Sequence, residues 1–298
     1  MISVIIPAYN EELAIVETVD ACNRTLAQLG GEYEIIIIDD GSSDNTADVA
    51  VAAGARVIRH PHNLGYGRSL KDGILAATHD TIVIADADGT YPVERIPDLF
   101  RAHQAGFHMV VGARQGRHYD ESFSKKMLRI VLKTLVEFTA GRKIPDINSG
   151  LRIFSRQDIV PYFQYLCETF SFTTSLTLAY MMNGMFVTYI PIAYQQRVGK
   201  TKVRMFRDSL RTLQFIVEAI LYYNPIKIFL VICAGMLALA LVCFADAVAF
   251  GHDSAFWMGF GCIVLAVLMS GIGLISIQLK QLLHLQDTER TGRARAPK

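Results

Sequence analysis

The sequence predicts an α/β chain in two parts: a doubly wound, mostly parallel sheet domain, then two C-terminal transmembrane helices. Three observations predict it. Short apolar, β-branched runs alternate with stretches carrying apolar residues at helical spacing from residue 2 to residue 112. Three of those runs end abruptly in acidic or polar turns, after Ile6, Ile38 and Ala85. Residues 226–250 and 255–279 are almost uninterrupted apolar stretches, and at about 1.5 Å rise per residue either crosses a hydrocarbon core of about 30 Å. Only residues 251–254 join them, which makes a pair of buried soluble helices the poorer reading.

Taken in order, a first strand at 2–6 closes on Pro7-Ala8-Tyr9-Asn10-Glu11-Glu12, and a helix at 14–29 stops at Gly30-Gly31. A buried strand at 33–38 ends in Asp39-Asp40-Gly41-Ser42-Ser43-Asp44. A helix at 46–53, a strand at 56–59 and a loop at 60–67 lead to a helix at 69–77. The glycines of Gly65-Tyr66-Gly67 serve to let the chain turn into that helix. The strand at 81–85 runs into Asp86-Ala87-Asp88-Gly89-Thr90-Tyr91-Pro92, followed by a helix at 93–105 and a strand at 108–112. Right-handed crossovers then bring the three acidic turns to one sheet edge, where open α/β sheets place their ligands. Asp86 and Asp88 project to the same side of an extended chain, so both can hold one hard cation. Asp39 is expected to order its loop through backbone N–H groups, and Asp44 to cap the helix at 46.

Composition narrows the rest. A chain of 298 residues accommodates one large α/β domain and an additional part. A net charge of +1 offers nothing for nucleic acid. The five cysteines show no paired spacing, so neither a disulfide framework nor a zinc site is indicated. No Gly-x-Gly-x-x-Gly follows the first strand and no Walker lysine follows a glycine loop, which argues against a dinucleotide-binding domain or a P-loop NTPase. The chain opens directly on a strand, without the basic and apolar regions of a signal peptide. Arg204, Arg207, Arg211 and Lys227 lie before or at the start of the first apolar stretch. Lys280, Arg290, Arg293, Arg295 and Lys298 follow the second, while the connection carries no Lys or Arg. The positive-inside rule therefore puts both termini and the sheet domain in the cytoplasm of a two-span protein of the cell membrane. Lys125, Arg129 and Lys133 recur every four residues among apolar ones, as do Arg204, Arg207 and Arg211; each pattern fits a basic amphipathic helix lying on an anionic membrane surface. The expected segments are a domain at 1–202, an amphipathic helix at 203–225, the hairpin at 226–279 and a basic tail at 280–298.

ISVIIPAYNE at 2–11, IIIDDGSSD at 36–44 and ADADGTYP at 85–92 together resemble the family 2 glycosyltransferases of GT-A fold. SGLRIF at 149–154 and RVGKTK at 197–202 are similar to the branch that makes polyprenyl-phosphate sugars, the relatives of dolichol-phosphate mannosyltransferase. The resemblance covers roughly residues 1–205. It implies that Pro7, Tyr9, Glu11, Ile38 and Asp40 hold the nucleotide, with Asp40 on the base, and that Asp86 and Ala87 complete the nucleotide-sugar site. Asp86 and Asp88 would bind Mg²⁺ or Mn²⁺ against the diphosphate leaving group. Where relatives often carry Gln, this chain has Thr90, a weaker or water-mediated ligand. The resemblance further implies acceptor-phosphate binding by Arg114, Lys125, Arg129, Arg197 and Lys202, with Asp88, Asp146, Arg197 and Lys202 at the reacting centre. Lys125 stands where many relatives have Arg and lacks its bidentate fork. Asp146 either positions the acceptor, pairs with Arg152, or simply shapes a turn.

A lipid monophosphate is already largely dianionic at pH 7, so it needs no general base, unlike a sugar hydroxyl. The expected activity is inverting transfer of a hexose from a UDP- or GDP-sugar to polyprenyl phosphate at the cytoplasmic membrane face, with self-association as a further option. A processive polysaccharide synthase is disfavoured, because Gln195-Gln196-Arg197 lacks the following Trp of that class and two helices do not enclose a polymer channel. A non-catalytic membrane scaffold is disfavoured by the presence of Asp86, Asp88, Arg197 and Lys202.

Overall fold

The computed structural model describes residues 1–115, 123–195, 213–214, 216–218, 220–221 and 224–294. The chain forms two compact units, Met1–Ile216 and Val217–Lys298. The first contains a seven-stranded sheet in the order β3-β2-β1-β4-β6-β5-β7. Its strands are β1 (Ile2–Ala8), β2 (Tyr33–Asp39), β3 (Arg56–Arg59), β4 (Thr81–Ile84), β5 (Met109–Gln115), β6 (Arg152–Ser155) and β7 (Val187–Ala193). All neighbours pair in parallel except β6, which runs antiparallel to both β4 and β5. The helices are α1 (Ile15–Ala27), α2 (Thr46–Ala52), α3 (Tyr66–Ala76), α4 (Ile96–Gln104), α5 (Phe123–Ala140), the single turn α6 (Arg156–Ile159) and α7 (Phe172–Met182).

Alternation along the strands builds a core on each face. Val4, Ile6, Ile35 and Ile37 pack with Ile15, Val19 and Leu26 of α1 and with Ile96 and Leu99 of α4. Ile5, Ile36 and Ile38 face the other way, onto Leu70 and Ile74 of α3 and Phe172 and Leu176 of α7. Helix α3 lies so close to the sheet that a Cβ on Gly73 would come within 2.3 Å of Ile5 Cγ2. The ends of β1, β2, β4, β5 and β7 and the start of antiparallel β6 therefore meet at one edge.

The second unit is a helical hairpin, α8 (Ile226–Phe250) and α9 (Asp253–Ala294). Both helices are long and apolar enough to cross a membrane. Gly251, in the left-handed conformation, ends α8, and its N–H donates to Ala247 O at 3.0 Å. His252 and Asp246 pair at the turn, at 2.9 Å. Phe244 packs against Gly259 and Phe229 against Gly273, where a Cβ would approach each ring side chain to 2.9 Å. Helix α9 continues past Leu279 to Ala294, through most of the stretch expected as a basic tail; Gln, Lys, Leu and Glu there are good helix formers and no Pro interrupts them before Pro297.

Candidate active site

The turn after β1 is locked to the turn after β2. Asn10 takes a positive φ of 53°, its N–H donates to Ser42 Oγ at 2.9 Å, and its side-chain oxygen accepts the Ser43 N–H at 2.7 Å. Pro7, Tyr9 and Glu11 stand half-buried along this edge. Asp39 Oδ1 accepts the Ser42 N–H at 3.1 Å and so orders its loop. Asp44 accepts N–H groups from Thr46, the first residue of α2, and from Glu12.

Three residues expected in the nucleotide-sugar site are tied into the fold. Asp40 is buried and its carboxylate accepts the N–H groups of Leu64 and Gly65, at 2.8 and 2.9 Å, while His60 Nδ1 lies 2.8 Å from the same carboxylate. It fastens the 60–65 loop to the end of β2. His60 Nε2 in turn lies 3.2 Å from Asp72. Ile38 is fully buried in the α3 core, so its side chain belongs to packing; only its backbone reaches the edge. Ala87 is likewise buried, and its carbonyl accepts the Thr18 hydroxyl of α1 at 3.2 Å.

The two carboxylates after β4 are held by separate partners. Tyr66, the first residue of α3, donates its hydroxyl to Asp86 Oδ1 at 2.9 Å. Gly150 comes so near that a Cβ there would lie 2.7 Å from both Asp86 oxygens. Asp88, 4% exposed, accepts the Thr90 hydroxyl at 2.6 Å and the Thr90 N–H at 3.1 Å on Oδ1. Thr90 thus orients the carboxylate it follows. Burial, reinforced by the Asp86 charge, pushes the Tyr66 hydroxyl well above its usual pKa and keeps it a donor. Burial does the same for Tyr91, which accepts the Gly150 N–H at 2.7 Å and packs edge-on against Tyr194 at 5.4 Å.

Across this edge, Arg114 at the end of β5 forms a two-point ion pair with Asp146, Nε to Oδ2 at 2.7 Å and Nη2 to Oδ1 at 2.9 Å. Asp146 pairs with this arginine and not with Arg152. Burial works to raise the Asp146 pKa, but the hydrogen bonds and charge of Arg114, with the Asn148 N–H, hold it below the ordinary carboxylate range. The Arg114 guanidinium also lies over the Tyr194 ring at 5.4 Å. The Gln195 N–H donates to Thr90 O at 2.9 Å, which ties the chain just before Arg197 to the Asp88 turn. Arg197 and Lys202 lie outside the described residues, as do Arg204, Arg207 and Arg211; Lys125 and Arg129 belong to α5, where their side chains are not among those described.

Arg152 is fully buried beneath the 146–150 turn. It donates to Ser149 O at 2.8 Å, Ile147 O at 3.0 Å and Thr177 Oγ1 at 2.7 Å. It thereby fixes the turn that carries Asp146 and presses Gly150 onto Asp86. Sequence reasoning placed Tyr66, Tyr91 and Tyr194 in no role. The signal for Tyr66 was an aromatic hydroxyl between two glycines at a helix start.

Among the described residues no group of three or more His, Cys, Asp or Glu side chains is placed to hold a metal. A cation at Asp86 and Asp88 would take two protein carboxylates and complete its shell with diphosphate oxygens and water. That is the oxygen-only coordination Mg²⁺ adopts at nucleotide sites, so the donor set fits.

A model of glycosyl transferase family 2 matches residues 3–163. Solved structures share the fold. Glucosyl-3-phosphoglycerate synthase from Mycobacterium tuberculosis, in complex with phosphoglyceric acid, superposes with a TM-score of 0.59 at 21% identity, covering 74% of this chain and 79% of that one. The same synthase in complex with Mn²⁺, UDP-glucose and phosphoglyceric acid gives 0.59 at 20% identity, with coverage of 74% and 79%. A further mycobacterial protein gives 0.58 at 21%, covering 74% of each chain. With the family's model spanning the three strand-end turns and the aspartate pair, the chain belongs to glycosyl transferase family 2.

Proposed function

We propose that this transferase moves a hexose, with inversion, from a UDP- or GDP-sugar to polyprenyl phosphate at the cytoplasmic face of a membrane, releasing the nucleoside diphosphate. The observation that carries the reading is the Asp86–Asp88 pair, set between the turns of β1 and β2 on one side and the Arg114–Asp146 pair on the other. The half-buried wall of Pro7, Tyr9 and Glu11 takes the nucleotide. Asp86 and Asp88 would hold Mg²⁺ or Mn²⁺, which neutralises charge growing on the departing diphosphate. The structural relatives were solved with Mn²⁺, UDP-glucose and a phosphorylated acceptor, in keeping with this division. Arg114, with Arg197, Lys202, Lys125 and Arg129, offsets repulsion between acceptor phosphate and diphosphate. Asp146 acts by holding Arg114 in place. No general base is required, because the attacking phosphate oxygen already carries its charge.

The lipid acceptor rests on the two apolar helices that follow the domain in the chain. Deletion of 226–298 is expected to weaken use of a long-chain polyprenyl phosphate at least tenfold while leaving nucleotide binding within about twofold. Parallel titrations of nucleotide and acceptor on the two proteins check this. Equal loss of both points to a domain that no longer folds, and unchanged use of the long lipid removes the helices from acceptor binding.

A further inference from the structure

The backbone of residues 65–67 runs against that of 167–169 with no room for side chains. Gly65, at φ 109°, would place a Cβ 2.8 Å from Glu168 O, and Gly67 would place one 2.3 Å from Cys167 O. This contact seats Phe170 flat on Tyr66, with ring centroids 5.7 Å apart and planes within 14°. The Tyr66 hydroxyl is the one that donates to Asp86. Phe170 nevertheless leaves 42% of its surface exposed, though it sits one ring away from a residue bound to the aspartate pair. A phenylalanine stacked on one side and left this open on the rest presents an apolar face.

We propose that Phe170 is the platform for the transferred hexose of the donor, a specificity-determining residue that reads the sugar and not the nucleotide. This rests on the assignment of Asp86 and Asp88 to the donor diphosphate. The hexose is bonded directly to that diphosphate, so it lies within one sugar's length of Asp86, beside Tyr66, on which Phe170 is stacked. One face of a pyranose is largely C–H and buries against an aromatic ring, while its hydroxyls stay hydrogen-bonded around the rim. The acceptor phosphate is assigned to Arg114 of β5, which is fixed by Asp146, from the turn before β6, and by Tyr194, just after β7. Phe170 belongs to the α3–α7 side instead, which selects the donor's sugar over the lipid chain.

The test is binding of UDP-glucose and GDP-mannose, with UDP and GDP as sugar-free controls, to the full-length protein in detergent with Mn²⁺. Phe170→Ala is expected to weaken the nucleotide sugar about tenfold and leave the nucleoside diphosphate within twofold, and Phe170→Tyr to restore wild-type binding. Equal weakening of sugar and sugar-free nucleotide, or no weakening of either, overturns the inference while leaving the proposed function standing. A raised KM for polyprenyl phosphate with donor binding unchanged also overturns it, reassigning the ring to the lipid. Wild-type protein that binds no nucleotide overturns the proposed function, and the inference with it.

Discussion

Replacing Asp88 by Ala or Asn is expected to reduce hexose transfer by about a thousandfold or more, in a protein that remains folded and membrane-associated. A divalent cation contributes several kcal/mol of charge stabilisation at a departing diphosphate, and each 1.36 kcal/mol is a factor of ten in rate. The Asn variant isolates the charge. It keeps an oxygen that can accept the Thr90 hydroxyl and N–H, so the turn after β4 stays in place. The loss should appear in kcat more than in nucleotide affinity, since the cation acts mainly on charge developing in the transition state. Normal turnover of Asp88→Asn at ordinary Mg²⁺ or Mn²⁺ concentrations would remove Asp88 from metal binding.

Arg152→Met is expected to destabilise the sheet domain by about 3 kcal/mol. The change strips the arginine's donors from two interior backbone carbonyls, of Ile147 and Ser149, and removes one bond from the Thr177 hydroxyl, which still donates to Thr173 O. A buried polar group left unsatisfied costs roughly 1–3 kcal/mol. Relief from burying a guanidinium, whose pKa burial pulls down from its usual value, offsets part of this sum. For a domain of this size the midpoint of thermal unfolding should fall by roughly 6–12 °C, followed by circular dichroism. A fall of less than roughly 2 °C would mean that the 146–150 turn holds itself and Arg152 only fills space.

The first half of the sheet was legible because β1, β2 and β4 are nearly unbroken β-branched runs, each closed by a polar turn. Parallel strands buried on both faces leave that signature. Strand β6 was not legible as an antiparallel insertion, since Arg152 looks like a surface residue until β4, β5 and α7 close around it. The same limit explains Asp40. Two adjacent aspartates do not reveal that the amides of Leu64 and Gly65 donate to one of them, because those amides come from a loop ordered only by tertiary contact. Glycines 65 and 67 read as a turn, and α3 accordingly seemed to begin at Ser69; the backbone they accommodate lies about a hundred residues on, where no local pattern reaches. The placement of the aspartate pair at the carboxyl end of a buried strand was readable from the apolar run before it. Its supports, Tyr66 and Gly150, arrive from other elements.

The most direct measurement is to incubate membranes containing the protein with a panel of nucleotide sugars and polyprenyl phosphate, then determine the mass of the lipid product. The expected result is polyprenyl phosphate heavier by one hexose residue, formed only with divalent metal and matched by release of nucleoside diphosphate. Hexose transferred to a water-soluble phosphorylated acceptor, with the lipid unchanged, would contradict it.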